Sequence, residues 1–87
     1  MHAVAVTEST QISYVPRSDI LHISFQPGRA ARTQVIDDLR IADFAADGAL
    51  MAIEFIGASA GLDLSDLPER DRIEEAIRAI PQFLVLA

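Results

Sequence analysis

The chain has no cysteine in its 87 residues. That excludes disulfides and thiolate metal sites, two of the devices small domains use to make up for a thin core. Lysine is missing too: the seven basic residues are all arginine, namely Arg17, Arg29, Arg32, Arg40, Arg70, Arg72 and Arg78. A phosphate loop ending in G-K-[ST] is therefore ruled out. No apolar run approaches the roughly 18–20 residues that span a bilayer, and Met1 to Thr10 lacks the basic and apolar regions of a secretory signal. A cytoplasmic protein that does not enter membranes is the expectation.

Thirteen acidic residues against the seven arginines leave a net charge of −6. The arginines are scattered, so a nucleic-acid partner is disfavoured, whereas a basic protein partner is favoured by opposite charge. Eighty-seven residues make one domain, 1–87. Such a chain buries only about 60–65% of its unfolded surface, and oligomerisation is the escape left open.

The pattern centres on Leu39–Ser59, where two apolar runs flank Asp47-Gly48, a strong hairpin signal. The second run, Ala49–Ile56, is apolar at every position but Glu54, as in a strand covered on both faces. A two- or four-residue loop would set Ala42 and Phe44 beside Met51 and Ile53. A three-residue loop would instead set Leu39 and Ile41 beside Ile53 and Phe55, and both registers stay open.

Earlier in the chain, His2–Thr7 suits an edge strand, Glu8-Ser9-Thr10 a polar break, and Ile12–Val15 a strand stopped by Pro16. Ile20–Phe25 alternates clearly, with Leu21, Ile23 and Phe25 on one face and Ile20, His22 and Ser24 on the other. Arg32–Asp37 is a weaker strand.

The period changes after Gly61. Asp66 as N-cap with Glu69 three residues on predicts a helix over 66–80, with Ile73, Ala76, Ile77 and Ile80 as its apolar stripe. Arg70–Glu74 and Glu74–Arg78 are expected ion pairs on its outer side. The tail, 81–87, carries Phe83, Leu84, Val85 and Leu86 with no charge, so it either packs on its own sheet or is given to a neighbour. The fold expected is α+β: an antiparallel β-meander of four to five strands with one C-terminal helix on a face.

Tyr14, Asp19, Leu21 and Ile23, then Asp43-Phe44, Asp47-Gly48, Ile53-Glu54 and Ala58-Ser59, together resemble a family of short bacterial domains of unknown function. The resemblance covers 12–59. Val15 follows the Tyr where Asp is usual, His22 stands where an aromatic is usual, a family glycine is replaced near Leu39, and Ala45 replaces an acidic residue. The resemblance implies a small antiparallel sheet and no established enzyme activity, with some members acting as antitoxin-like partners of small toxins.

Two function classes follow. One is a non-enzymatic interaction module: a homodimer, and an antitoxin-like acidic partner of a small basic protein, with Ile20, Leu50, Ile56, Phe83, Leu84 and Leu86 as interface residues. The alternative is a small enzyme or ligand binder using His22, Glu54 and Tyr14 as imidazole, carboxylate and phenol on one sheet face. The plainer reading of that trio is three polar groups on the less buried face. Asp37, Asp38, Asp43 and Asp47 lack calcium-loop spacing, and His2 and His22 have no partner at metal-ligand spacing. No metal or cofactor is expected. Gly57-Ala58-Ser59-Ala60-Gly61 reads as a flexible strand-to-helix connection, and Arg29 and Arg32 as residues of a solvated loop.

Overall fold

The computed structural model describes residues 2–6 and 10–86, with side chains over 10–86. Thr7 and the polar break at Glu8-Ser9 lie outside the described residues. The elements are β1 (His2–Val6), β2 (Gln11–Val15), β3 (Ile20–Ser24), β4 (Arg32–Asp37), β5 (Arg40–Phe44), β6 (Leu50–Ile56), β7 (Leu62–Asp63), α1 (Arg70–Ile77) and β8 (Val85–Leu86).

The first six strands form one antiparallel sheet in the order β1-β2-β3-β6-β5-β4. It consists of two three-stranded meanders joined along β3 and β6. The chain reaches the far edge through the 25–31 crossing, pinned where the Phe25 amide donates to the Met51 carbonyl (2.7 Å) and the Ala31 amide to that of Phe44 (2.9 Å).

Alternation along the strands separates two faces. Ile12, Leu21, Ile23, Ala42, Phe44, Ile53 and Phe55 are buried on the inner face. Against them pack Leu62, Leu64 and Leu67, then Ile73, Ala76 and Ile77 of α1, and Ile80. The expected apolar stripe of the helix is thus its buried face.

The central hairpin combines features of both expected registers. Its loop has three residues, since the Ala45 amide donates to the Ala49 carbonyl (2.9 Å), and Gly48 takes the positive φ (89°) that this turn requires. A bulge next to Phe44 then slips the register by one. Ala42 ends opposite Ile53, Phe44 opposite Leu50, and Arg40 opposite Phe55. The extra residue is what a loop-length rule leaves out.

The helix is shorter than 66–80. A residue before proline is disfavoured in the α region, and Leu67, ahead of Pro68, stays outside the helix, which starts only at Arg70. The N-cap is Glu69, not Asp66, and both have left-handed backbones (φ 48° and 56°). At the far end the chain tightens into i→i+3 turns (Ala79 amide to Ala76, Ile80 amide to Ile77) ahead of Pro81. Arg70 pairs with Glu74 (2.6 Å) as expected, but Arg78 takes Glu75 rather than Glu74.

The tail returns to its own chain. β8 pairs in parallel with β7, the Leu62 amide donating to the Leu84 carbonyl (2.7 Å) and the Leu64 amide to that of Leu86 (3.1 Å). Gly61 makes room for it: a Cβ there would sit 2.7 Å from Cδ1 of Leu86, and its φ is 127°.

Candidate functional site

Asp19 gathers three hydrogen bonds on its side chain beside the start of β3. It stands in the turn between β2 and β3 with a left-handed backbone (φ 57°), which Asp tolerates better than most residues. One carboxylate oxygen accepts from the Tyr14 hydroxyl (2.6 Å) and the Ser59 amide (2.9 Å), and the other from the Ser59 hydroxyl (2.6 Å). Its carbonyl accepts from the amides of Gly57 and Ala58 (2.9 and 3.0 Å). The glycine-rich loop is therefore not a free phosphate cradle: its donors are aimed at Asp19 of the same chain. Hydrogen bonds from Ser59, then Tyr14, hold the Asp19 carboxyl below the usual carboxylate range. The same carboxylate raises the Tyr14 hydroxyl above its ordinary value, so Tyr14 is held as a hydrogen-bond donor.

The His22, Glu54 and Tyr14 trio is not assembled. His22 and Glu54 are directly opposite on β3 and β6, but Ser13, not Tyr14, stands across from His22. Tyr14 therefore faces inward, where its ring meets Phe83 edge-on (centroids 5.1 Å apart). The β2–β3 turn sets this: Val15 pairs with Ile20, which fixes every later pair. No hydrogen bond joins His22 and Glu54 among the described residues.

The six expected interface residues separate. Leu50 is fully buried in the core and belongs to no interface; its position beside the bulge turns it inward. Phe83 is half-buried against Tyr14, while Leu84 (62% exposed) and Leu86 lie on the tail. Ile20 and Ile56 are half-buried neighbours on the outer face. That face carries three rows across the strands. The first is Val15, Ile20, Ile56 and Leu39; the second Ser13, His22, Glu54, Ile41 and Val35; the third Gln11, Ser24, Ala52, Asp43 and Thr33. Val35 (67%) and Leu39 (55%) are the most exposed apolar residues there.

Two arginines that sequence reasoning passed over organise the opposite side. Arg40 points inward beside Phe55 and is buried. Its guanidinium donates to Asp37 (2.7 and 3.0 Å) and to the carbonyls of Asp63 (3.1 Å) and Ser65. Asp37 above all strengthens its hold on the proton. Arg72 lies over the Phe25 ring (4.4 Å to the centroid) and donates to Glu69 (2.7 Å) and to the Leu50 carbonyl (3.3 Å). Glu69 in turn accepts from the Leu50 amide (2.7 Å). The only sequence signal for either was an arginine at a strand or helix position next to acidic residues.

Two further acidic residues have local partners. Asp43 accepts from Thr33 (2.6 Å) and Asp47 from the Ala49 amide (2.9 Å). Among the described residues no three His, Cys, Asp or Glu side chains gather as metal ligands, and no helix is long and apolar enough to cross a membrane. Arg32 lies over Phe44 (4.2 Å to the centroid) rather than standing free in solvent. An open groove of about 440 Å³ runs beside α1, lined by Leu64, Ile77, Pro81, Phe83 and Val85 and rimmed by Arg70, Glu74 and Arg78. Its charged rim is already paired internally.

Fold and site define a class: a small α+β domain whose antiparallel sheet has one covered face, and whose polar residues mostly fasten one element to another. Residues 11–59, more than half of the chain, match the family model described as "Protein of unknown function (DUF2283)", and the chain belongs to that family. No curated protein and no solved structure matches it.

Proposed function

We propose that the chain is a non-enzymatic association module whose outer sheet face packs on a second copy. The observation behind this reading is that face itself: Ile20, Ile56, Ile41, Leu39 and Val35 lie together on it, while α1 and its flanking segments pack on the other side. A patch of apolar side chains on a sheet of this size is the usual mark of an interface. The outer face as a whole, apolar along its first row and mixed along the other two, is of adequate extent: five strands about 4.8 Å apart and three side-chain rows about 6.8 Å apart give a footprint of roughly 400–500 Å² per copy. Doubled, that is close to the roughly 1,000 Å² a specific interface needs. Acidity adds a second role, docking of a small basic protein on the assembled dimer, for which the net charge of −6 supplies attraction.

Val35→Glu combined with Leu39→Glu tests the reading, because both side chains are exposed in the single chain and the fold does not need them. In sedimentation velocity the wild type is expected as a dimer and the double variant as a folded monomer. A wild type that sediments as a monomer overturns the reading.

A further inference from the structure

We propose that the two copies are related by a two-fold axis running parallel to the strands, so that His22 of each copy meets Glu54 of the other at the centre of the interface. This rests on the self-association reading above and adds its geometry.

The sheet has three strands on either side of the β3–β6 seam, and His22 and Glu54 face each other across that seam. They hold the middle row and so lie at the middle of the outer face. Two sheets packed face to face can be related by an in-plane two-fold axis that runs along the strands or across them. The two choices superpose different residues.

An axis along the strands lays β3 over the partner's β6 and β2 over its β5, and keeps each row on its own counterpart. Ile20 then covers Ile56 and Val15 covers Leu39, apolar on apolar. Gln11 meets Asp43. At the centre the His22 imidazole donates to the Glu54 carboxylate of the other copy, twice by symmetry. An axis across the strands inverts the rows. Ile20 and Ile56 then lie on Ser24 and Ala52, and Glu54 lies on Glu54, where two carboxylates offer only acceptors. Desolvating such a like-charged pair is costly. Both the apolar row and the central pair therefore select the axis along the strands.

The same pairing explains why Glu54 interrupts an otherwise apolar strand at the middle of the outer face. A polar pair satisfied in only one alignment fixes register and partner orientation, the role best attested for buried polar groups in assemblies.

The experiment mixes two charge-changed variants. His22→Asp sets Asp against Glu54 of its partner copy, and Glu54→Lys sets Lys against His22. Each alone is expected to dissociate at least about tenfold more readily, roughly 1.4 kcal/mol. Mixed in equal amounts they should form a heterodimer, with one native His–Glu pair and one Lys–Asp pair, seen as a single mixed mass in native mass spectrometry. Because either variant could also weaken its own fold, a second pair avoids the centre. The chain lacks cysteine, so Val15→Cys mixed with Leu39→Cys should be joined by a short bis-maleimide, whereas neither variant should be joined to itself. A dimeric wild type with neither a mixed mass nor a mixed cross-link overturns the axis and leaves self-association standing. A monomeric wild type overturns self-association itself.

Discussion

Arg40→Met removes the guanidinium that ties the β4–β5 turn to the segment before α1, while its unbranched stem still covers Phe55. Two backbone carbonyls, of Asp63 and Ser65, lose a charged donor. Hydrogen bonds to charged groups contribute about 1.5–3 kcal/mol each, and geometry here is shared within one guanidinium, so a loss of about 2–4 kcal/mol is expected. Asp37 is left out of that sum because its side chain is 44% exposed and solvent screens it. For a domain of this length the loss lowers the melting midpoint by about 10 °C or more. Differential scanning calorimetry reads it, and hydrogen exchange should show the amides of Leu62 and Leu64 opening first. The pH dependence gives a separate check. Asp37 and Asp63 lie below their ordinary 3.8, Asp37 chiefly through Arg40 and Asp63 chiefly through the Ser65 amide. A carboxyl depressed in the folded state stabilises the protein above its unfolded pKa, and that stability is lost as pH falls through the folded value. The wild type should therefore weaken below about pH 4, and Arg40→Met should lose more of the Asp37 part of that slope, where the Leu39 amide still donates, than of the Asp63 part, which rests mainly on Ser65. A variant that melts within about 3 °C of wild type, with an unchanged acid slope, would refute the clamp.

Gly61→Ala should release the tail: its Cβ would collide with Leu86 and the backbone φ of 127° disfavours any side chain, so proteolysis after 83 should speed up while the six-stranded sheet stays intact. Asp19→Ala should lower the melting midpoint more than Asp19→Asn, because asparagine keeps the left-handed turn and one acceptor for Tyr14 or Ser59, and a wild-type midpoint in both variants would mean the carboxylate network is idle. His22→Ala should leave the far-UV spectrum and melting cooperativity unchanged, since no intramolecular bond holds the imidazole among the described residues.

The strands were legible because alternation reports burial directly: Leu21, Ile23 and Phe25 read as one face and are one face. The helix stripe was legible for the same reason, with Ile73, Ala76 and Ile77 all buried. Register was not. One bulge residue beside Phe44 turned a three-residue loop into the pairing expected of an even loop, and one position across the β2–β3 hairpin sent Tyr14 inward instead of Ser13. Local pattern constrains each strand but not its offset from the next. The helix start was misplaced because the capping-box spacing was weighed without the restriction that Pro68 places on Leu67. The roles of Arg40 and Arg72 are not legible locally because they depend on partners distant in sequence, Asp63 and Ser65 for the buried Arg40 and Leu50 for the exposed Arg72. Tyr14, Asp19 and Ser59, which carry the family resemblance, prove to fasten the first hairpin to the 57–61 loop.

A native mass spectrum of the untagged wild-type chain at micromolar concentration tests the central claim most directly. Twice the chain mass, giving way to a single chain mass when Val35 and Leu39 are both replaced by Glu, is the expected result. A single chain mass for the wild type at every concentration up to about 100 µM would contradict it.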